Sequence, residues 1–190
     1  MQEKFFENLR PEKKIIANEL LDKEFDTVLE VGTQYGESLK AIQDLFKDKE
    51  LVGVDTNLGY LNEGRKHYKG IEFIYGNVLD LPFRGRSFDV VFTNALFCNL
   101  PPDILKAGVR ELFRVTRKYV LLVELSNHKI GQVNGRRTEA RRTGANWVTV
   151  LNDMGYRLES RKLNDWEWPV EPWKDYGYLY EFNNYHNQLR

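Results

Sequence analysis

Short apolar runs rich in β-branched residues recur along the first two thirds of the chain. They have the length of buried strands and lie at residues 27–31, 51–55, 71–75, 88–93 and 119–124. Helical patterns separate them at residues 37–46, 58–68 and 102–115. This alternation predicts an α/β fold, a Rossmann-like, doubly wound and mostly parallel sheet with helices on both faces. A ligand is expected over the carboxyl ends of the strands.

Two further regions flank this core. An amphipathic helix is predicted at residues 3–21, and the C-terminal part is predicted to form a helix at 141–154 and strands at 157–163 and 178–182. The sheet then has about seven strands, including an antiparallel edge strand. Three tryptophans lie between the last two strands, in residues 164–177, and they can form either a satellite core or a wall of the substrate site.

Composition narrows the kind of protein. The 190 residues fit a single domain, which we divide into an N-terminal helical cap (1–25), a core that binds a cofactor (26–125) and an acceptor-side loop, helix and edge strands (126–190). The formal net charge is zero, so no global charge attracts nucleic acid or an anionic membrane. No apolar run could span a bilayer, no apolar signal core is present, and Cys98 is the only cysteine. We therefore expect a cytoplasmic protein.

The segment VLEVGTQYGES contains the most informative chemistry. The first strand ends near Glu30, the chain turns at Gly32, and a helix begins near Gly36, so backbone N–H groups are available to a ligand. A dinucleotide fingerprint would need glycines where the chain has Gln34 and Glu37. Two carboxylates would also face the pyrophosphate, and like charges about 5 Å apart repel by about 3 kcal/mol per pair at an effective dielectric of about 20. A nicotinamide dinucleotide is disfavoured, whereas S-adenosylmethionine offers a sulfonium and an ammonium to these acids.

From about residue 27 to residue 124, the sequence resembles the class I S-adenosylmethionine-dependent methyltransferases. The first motif of that family is an acid followed by glycines at every second position. Glu30, Gly32 and Gly36 match this motif, and Gln34 stands where the middle glycine is usual. The resemblance implies that the loop after the first strand binds the cofactor.

The later motifs of the family fall at the ends of the next strands. The resemblance implies that Asp55, which closes the second strand, binds the ribose hydroxyls. GNVLDLPF is similar to the third motif, which implies that the Asn77 side chain accepts from the adenine amino group and the Val78 N–H donates to the ring. Asn94 is implied to lie near the transferred methyl. The cofactor-binding set implied by the resemblance is Glu30, Gly32, Thr33, Gln34, Gly36, Asp55, Thr56, Asn77, Val78 and Asn94.

The resemblance implies an enzyme that moves the methyl group of S-adenosylmethionine to an oxygen or nitrogen of a small molecule, leaving S-adenosylhomocysteine. Holding acceptor, methyl and sulfur collinear can lower the barrier by several kcal/mol. An acceptor that must lose a proton can also need a base, and His128 is the best-placed candidate, although it can equally be an exposed loop histidine. No metal site is predicted.

The sequence after the fourth strand indicates the class of acceptor. It reads TNAL and lacks the Asn-Pro-Pro-Tyr pattern that similar enzymes use on nucleobase amines, so nucleic acid is not the expected partner. An anionic acceptor is an option, because a basic cluster follows the fifth strand; the alternative is a solvated helix start balanced by Glu139. The members of this cluster are Arg136, Arg137, Arg141 and Arg142.

The acceptor site needs a cover, since open strand ends would leave the sulfonium wet. We expect the N-terminal helix to form part of this lid and the arginine-rich loop to form the opposite wall; the alternative is that the helix only packs outside the sheet. Two other functions stay open. One is a non-catalytic module that binds S-adenosylmethionine, suggested by Gln34 and Asn77. The other is a nicotinamide-dependent oxidoreductase, which Glu30 and Glu37 disfavour.

Overall fold

A computed structural model of the protein describes residues 9–101, 104–125, 151–171 and 173–183. Seven strands form one sheet in the order β3-β2-β1-β4-β5-β7-β6. All neighbouring strands are parallel except β7, which runs antiparallel to both β5 and β6. The predicted doubly wound, mostly parallel sheet is therefore confirmed, with antiparallel β7 next to the edge strand β6. The strands are β1 (Thr27–Val31), β2 (Glu50–Asp55), β3 (Ile71–Tyr75), β4 (Phe88–Asn94), β5 (Thr116–Leu125), β6 (Glu159–Lys162) and β7 (Gly177–Asn183).

The helices within the described ranges connect these strands or flank the sheet. They include α1 (Pro11–Glu19), α2 (Glu37–Leu45), α3 (Leu58–His67), α4 (Leu105–Val115) and the short α5 (Trp173–Tyr176), with a 3₁₀ turn at Phe97–Asn99; residues 151–153 are also helical. Asn57 caps α3, since its side chain accepts hydrogen bonds from the N–H groups of Gly59 and Tyr60 at 2.9 and 3.3 Å. The right-handed crossovers that link parallel strands place these helices on both faces.

Alternating side chains divide the core between the two faces of the sheet. On β1, Val28 belongs to one cluster and Leu29 to the other, as a two-residue repeat requires. The cluster of Val28 also contains residues of α1, α2 and α3, whereas that of Leu29 contains the apolar side of α4. Each central strand is therefore buried on both sides, which explains its continuous apolar sequence.

The N-terminal helix differs from its prediction. A single helix over residues 3–21 was expected, but α1 begins at Pro11, and Arg10 has the extended angles φ −67° and ψ 153°. The ring of a proline disfavours helical angles in the residue before it, so Pro11 starts the helix instead of continuing one. Ile15, Ile16 and Leu20 are almost fully buried in the core.

Two of the three tryptophans in residues 164–177 pack into the main core on the α1 face of the sheet and do not form a separate satellite core. Trp168 and Trp173 stack with ring centroids 3.7 Å apart and are both buried, whereas Trp166 is 63% exposed. Beside them, the buried carboxylate of Glu167 accepts two hydrogen bonds from Arg161, each 2.9 Å. Arg161 also bonds to Glu19 at 3.1 Å, which ties this segment to the end of α1.

The strand order reverses between β1 and β4, which makes their carboxyl ends the topological switch point of the sheet. Connections leave these two strands in opposite directions, so a crevice opens between them, and ligands bind there in open α/β sheets. The loops that follow β1, β2, β3 and β4 all emerge at this edge. The switch point therefore brings together the residues that the sequence singled out.

Candidate functional site

The loop after β1 has a left-handed residue at every second position. The φ angles of Gly32, Gln34 and Gly36 are 78°, 52° and 85°. Glycine adopts these angles without steric cost, but Gln34 does so against the preference of an L-residue. The N–H groups of Gly32 and Thr33 both donate to the Val54 carbonyl, at 2.8 and 3.0 Å, which fixes the loop to β2. Gln34 therefore keeps the backbone path that a middle glycine would have.

Both glycines of this loop are also required by close packing. A Cβ at Gly32 would lie 2.8 Å from the Leu96 side chain, and one at Gly36 would lie 2.6 Å from the Phe73 ring. Leu96 follows β4 and Phe73 lies on β3. The loop is thus held between neighbouring elements, with its N–H groups at the start of α2.

Asp55 links the loops that follow β1 and β2. One carboxylate oxygen accepts from the Gln34 N–H at 2.9 Å, and the other accepts from the Asn57 N–H at 2.8 Å. The side chain is partly exposed at the end of β2, and Thr56 beside it is exposed. Because an ionised carboxylate has about four lone-pair sites, both oxygens keep capacity for ligand hydroxyls.

Two acids lie beneath the loop with one cation between them. Glu30 and Glu37 are each only 2% exposed. The Thr33 hydroxyl donates to Glu30 at 2.7 Å, and the Lys13 ammonium of α1 lies 3.6 Å from Glu37. Burial raises the pKa of Glu30 to about 7, although the charge of Lys13 and the hydroxyls of Thr33 and Ser38 favour its ionised form.

Asn94 joins three elements at the carboxyl end of β4. Its side-chain N–H₂ donates to the Glu12 carbonyl of α1 at 2.9 Å and to the Ser38 hydroxyl of α2 at 3.3 Å. Its side-chain oxygen is buried and has no hydrogen-bond partner among the described residues. An unpaired buried acceptor costs free energy unless a ligand or water supplies the donor. This oxygen is therefore an acceptor available to a ligand at the switch point.

The chain after β4 forms a turn around a buried acid, and we call residues 95–98 the post-β4 turn. Glu124 on β5 has no exposed surface and accepts four hydrogen bonds. The donors are the Thr93 hydroxyl and the N–H groups of Leu96 and Phe97, each at 3.0 Å, and the N–H of Cys98 at 3.1 Å. Burial nevertheless raises the pKa of Glu124 to about 7.

The third predicted motif follows β3. The Asn77 side-chain oxygen accepts from the Leu79 N–H at 3.0 Å, which makes a local Asx turn. Asn77 is exposed, whereas Val78 is buried in the core. Glu111 of α4 accepts from the Leu81 N–H at 3.0 Å, and Arg114 donates to the carbonyls of the same segment, so α4 fixes this motif against the sheet.

Most predicted site residues come together at the switch-point edge. His128 and the four arginines of the basic cluster lie outside the described residues, as do residues 3–8 of the helix predicted to form the lid. The structure adds Lys13 and Glu124, which the sequence reading missed. Neither belongs to a motif, and each reaches the site only because a helix or strand distant in sequence packs there.

Two other kinds of feature are absent from the described ranges. No group of three or more histidine, cysteine, aspartate or glutamate side chains in them is arranged to hold a metal ion. None of the helices in the same ranges is both long and apolar enough to cross a membrane. Cys98 is buried and, as the one cysteine of the sequence, forms no intrachain disulfide.

Comparison with known proteins gives matches to methyltransferases. Residues 28–119 match the model of the family described as "Methyltransferase domain". The fatty-acid O-methyltransferase of Mycolicibacterium smegmatis is 35% identical over 72 residues, which cover 37% of this chain and 26% of that protein. The demethylmenaquinone methyltransferase of Thermotoga maritima is 28% identical over 113 residues, covering 60% and 48%. The chain thus spans less than half the length of these curated relatives.

Solved structures extend the similarity to nearly the whole chain. A Haloferax volcanii methyltransferase, solved in complex with the Trm112 methyltransferase activator, has a TM-score of 0.72. It is 17% identical, and the match covers 96% of this chain and 92% of that one. At this level of identity the similarity shows the fold, and it includes the strands on both sides of the switch point.

Proposed function

We propose that the chain is, through residues 28–119, a class I S-adenosylmethionine-dependent methyltransferase and that it transfers the cofactor's methyl group to an oxygen or nitrogen of a small molecule. The observation that carries this proposal is the position of the Asp55 side chain. Its carboxylate is held by the Gln34 and Asn57 N–H groups at the switch point, beside a loop that is left-handed at every second residue. This arrangement presents acceptors for two adjacent hydroxyls beside free helix-end donors.

We assign the nucleoside half of the cofactor to the ends of β2 and β3. Asp55 and Thr56 lie where the ribose hydroxyls would bind, and Asn77 and Val78 follow the next strand, at the distance of an attached base. The Asn77 oxygen has one lone pair in its Asx turn, which leaves the other for an adenine amino group. The loop after β1 would follow the cofactor from its nucleoside half to its amino-acid half, through Gly32, Thr33 and Gly36.

The amino-acid half belongs on the side of β1 and β4. A methionine moiety has both an ammonium and a carboxylate, and this side holds charges of both signs: Glu30 and Glu37 as acids, and Lys13 as a cation. The unpartnered oxygen of Asn94 is an acceptor suited to the ammonium. We therefore include Lys13 with Glu30 and Asn94 in the proposed cofactor site.

Methyl transfer depends on the alignment of acceptor, methyl and sulfur more than on side chains that react. The buried switch point excludes water from the sulfonium and fixes the direction of the methyl group. For an acceptor that must lose a proton, His128 is our proposed base. Residues 1–25 and 126–190 would supply the acceptor side, with the cofactor core between them.

The acceptor is proposed to be a small molecule with an ionisable oxygen. One relative is named for fatty acids, whose carboxylate is an anionic oxygen acceptor of the kind that the cluster from Arg136 to Arg142 could bind. Another is named for demethylmenaquinone, which adds an aromatic class to be tested. Fatty acids and phenolic compounds are therefore the first two classes to screen.

Two measurements, made one after the other, test the proposed function. Calorimetry should show S-adenosylhomocysteine binding with a Kd of about 1 μM or tighter, with NAD and NADP binding at least a hundredfold more weakly. Mass spectrometry should then detect S-adenosylhomocysteine formed from S-adenosylmethionine when an acceptor is supplied. Binding without turnover across oxygen and nitrogen acceptors would favour the non-catalytic module, and preferential binding of NAD would favour an oxidoreductase.

A further inference from the structure

Glu124 is a buried acid that no cation neutralises within the described part of the chain. It makes no salt bridge there, and all four of its hydrogen-bond donors are neutral. Burying an unpaired carboxylate is costly, and an apolar residue at this place on β5 would avoid that cost. The four donors indicate the structural role of the carboxylate, because three of them are successive backbone N–H groups of the post-β4 turn.

Only a carboxylate satisfies this set of donors. In the ionised form its two oxygens accept without carrying a proton; in the structure Oε1 takes three hydrogen bonds and Oε2 takes one. A glutamine of the same shape would place an N–H₂ group against an N–H or a hydroxyl of the turn. The Glu124→Gln substitution therefore removes hydrogen-bond acceptors without creating a cavity.

The turn that Glu124 holds is under backbone strain. Ala95 has a φ of 61°, in the left-handed region that costs a residue with a Cβ, and its N–H donates to the Val123 carbonyl at 2.9 Å. Strained residues persist where the surrounding structure fixes them. The next three N–H groups, all bonded to Glu124, supply that constraint.

The constrained turn also forms a wall of the loop after β1. Three atoms of the Leu96 side chain lie 2.8 to 3.3 Å from the position that a Cβ of Gly32 would occupy. Asn94, whose side-chain oxygen has no hydrogen-bond partner in the described part of the chain, directly precedes the turn. A shift of the turn would therefore move both Leu96 and Asn94 relative to the side of β1 and β4 that holds the charges of both signs.

From these contacts we propose that Glu124 is a positioning residue for the amino-acid half of the cofactor. It acts through the post-β4 turn and does not touch the ligand, and it leaves the nucleoside half near Asp55 unaffected. This inference rests on the proposed function, because the two halves are those of S-adenosylmethionine. It assigns a specific task to a buried charge that the fold alone does not require.

Two ligands that share a nucleoside test the assignment. In Glu124→Gln, the affinity for S-adenosylhomocysteine is expected to fall at least tenfold, while the affinity for adenosine changes less than twofold. General destabilisation would weaken both ligands alike, so the ratio of the two affinities is the informative measurement. The amide proton signals of Leu96, Phe97 and Cys98 should also move upfield together in the NMR spectrum, because each loses a charged acceptor.

A milder variant and a distant one complete the experiment. Thr93→Val removes one donor but keeps the carboxylate, and should weaken S-adenosylhomocysteine about threefold, even if Glu124→Gln fails to fold. Asp89→Asn makes the same chemical change in a buried acid that accepts from the Asp26 N–H at 2.8 Å, near the amino end of β4. It should lower the Tm and leave both affinities unchanged.

The results separate this inference from the proposed function. Suppose that the wild-type protein binds both adenosine and S-adenosylhomocysteine. If the variants then lost both ligands equally, or lost neither, the role of Glu124 would be overturned and the proposed function would stand. Wild-type protein that binds neither ligand would overturn the proposed function and this role with it.

Discussion

Gln34 has the backbone angles of a glycine, and its side chain is exposed. A left-handed conformation costs an L-residue roughly 1–2 kcal/mol, part of which glycine loses again through its greater freedom in the unfolded chain. We expect Gln34→Gly to raise the free energy of unfolding by up to about 1 kcal/mol and to change the affinity for S-adenosylhomocysteine less than twofold. Thermal melting and calorimetry measure the two effects.

Gln34→Ala is the matched control, because it removes the side chain but keeps the Cβ. It should give no gain in stability. If Gln34→Gly abolished cofactor binding in a folded protein, the Gln34 side chain would be a specific contact instead of an exposed substitute for glycine.

Asp55 has two roles that a pair of variants can separate. Asp55→Ala removes both the proposed ribose acceptors and the hydrogen bonds from Gln34 and Asn57, whereas Asp55→Asn keeps the shape and one acceptor. We expect the alanine variant to weaken both S-adenosylhomocysteine and adenosine at least tenfold, about 1.4 kcal/mol, and the asparagine variant to lose less. Asp48→Asn, near the amino end of β2, should leave both affinities unaltered in the same calorimetric titrations.

The residues of the site differ in how far the sequence reveals them. Glu30, Gly32 and Asp55 could be found because each is fixed by its distance from a strand end. Lys13 and Glu124 could not, since neither belongs to a motif and their partners are distant in sequence, as in the pair of Lys13 with Glu37. Long-range packing decides which buried charges meet, and a one-dimensional pattern does not contain that information.

At the scale of elements, α1 has one end in the site and its body in the core. Lys13 and the Glu12 carbonyl face the switch point, whereas Ile16 is fully buried against the sheet. We expect Ile16→Ala to lower the free energy of unfolding by about 2–4 kcal/mol with little change in affinity, because it leaves a cavity away from the ligand. Lys13→Gln should instead weaken S-adenosylhomocysteine severalfold with a small change in Tm.

These two variants also test the proposed lid. Denaturant unfolding gives the stability, and calorimetry on the folded fraction gives the affinity. If Lys13→Gln left the affinity unchanged, α1 would have only a packing role, and the proposed cover of the site would have to come from another segment.

The central elements were predictable because each has its own periodic signal. β1 and β3 begin and end where the apolar runs predicted. β5 starts at Thr116, three residues earlier than expected, because Arg117 and Lys118 are charged and only partly buried and so interrupt the apolar run. The start of α1 was missed because the apolar repeat continues across Pro11, whereas the helical backbone conformation begins there. The short α5 has too few residues to show a repeat at all.

At the scale of the whole molecule, two buried acids determine part of the pH dependence. Glu30 and Glu124 have pKa values of about 7 in the folded protein against 4.5 when unperturbed. Between these values the folded state binds more protons than the unfolded state, so the free energy of unfolding falls as the pH rises from about 4.5 to 7. The effect is on the order of 3 kcal/mol for each acid.

The acids with lowered pKa values act in the opposite direction at lower pH. Hydrogen bonds and the neighbouring guanidinium groups of Arg117 and Arg114 hold the pKa of Asp89 and Glu111 below its usual range, so their stabilisation is lost below about pH 4. We expect the Tm to be highest near pH 5 and to fall by several degrees towards pH 8. The double variant Glu30→Gln with Glu124→Gln should flatten this fall, and a wild-type Tm that rises towards pH 8 would contradict the assignment.

The placement of β7 determines when the molecule can finish folding during its synthesis. Residues 177–183 insert between β5 and β6, and β6 has no other strand partner within the described ranges. The apolar edge of β5 therefore stays unpaired after that strand has left the ribosome, until about sixty further residues have been translated. Nascent chains arrested before residue 177 should bind chaperones and resist protease poorly, whereas chains arrested with β7 fully emerged should become protected in one step.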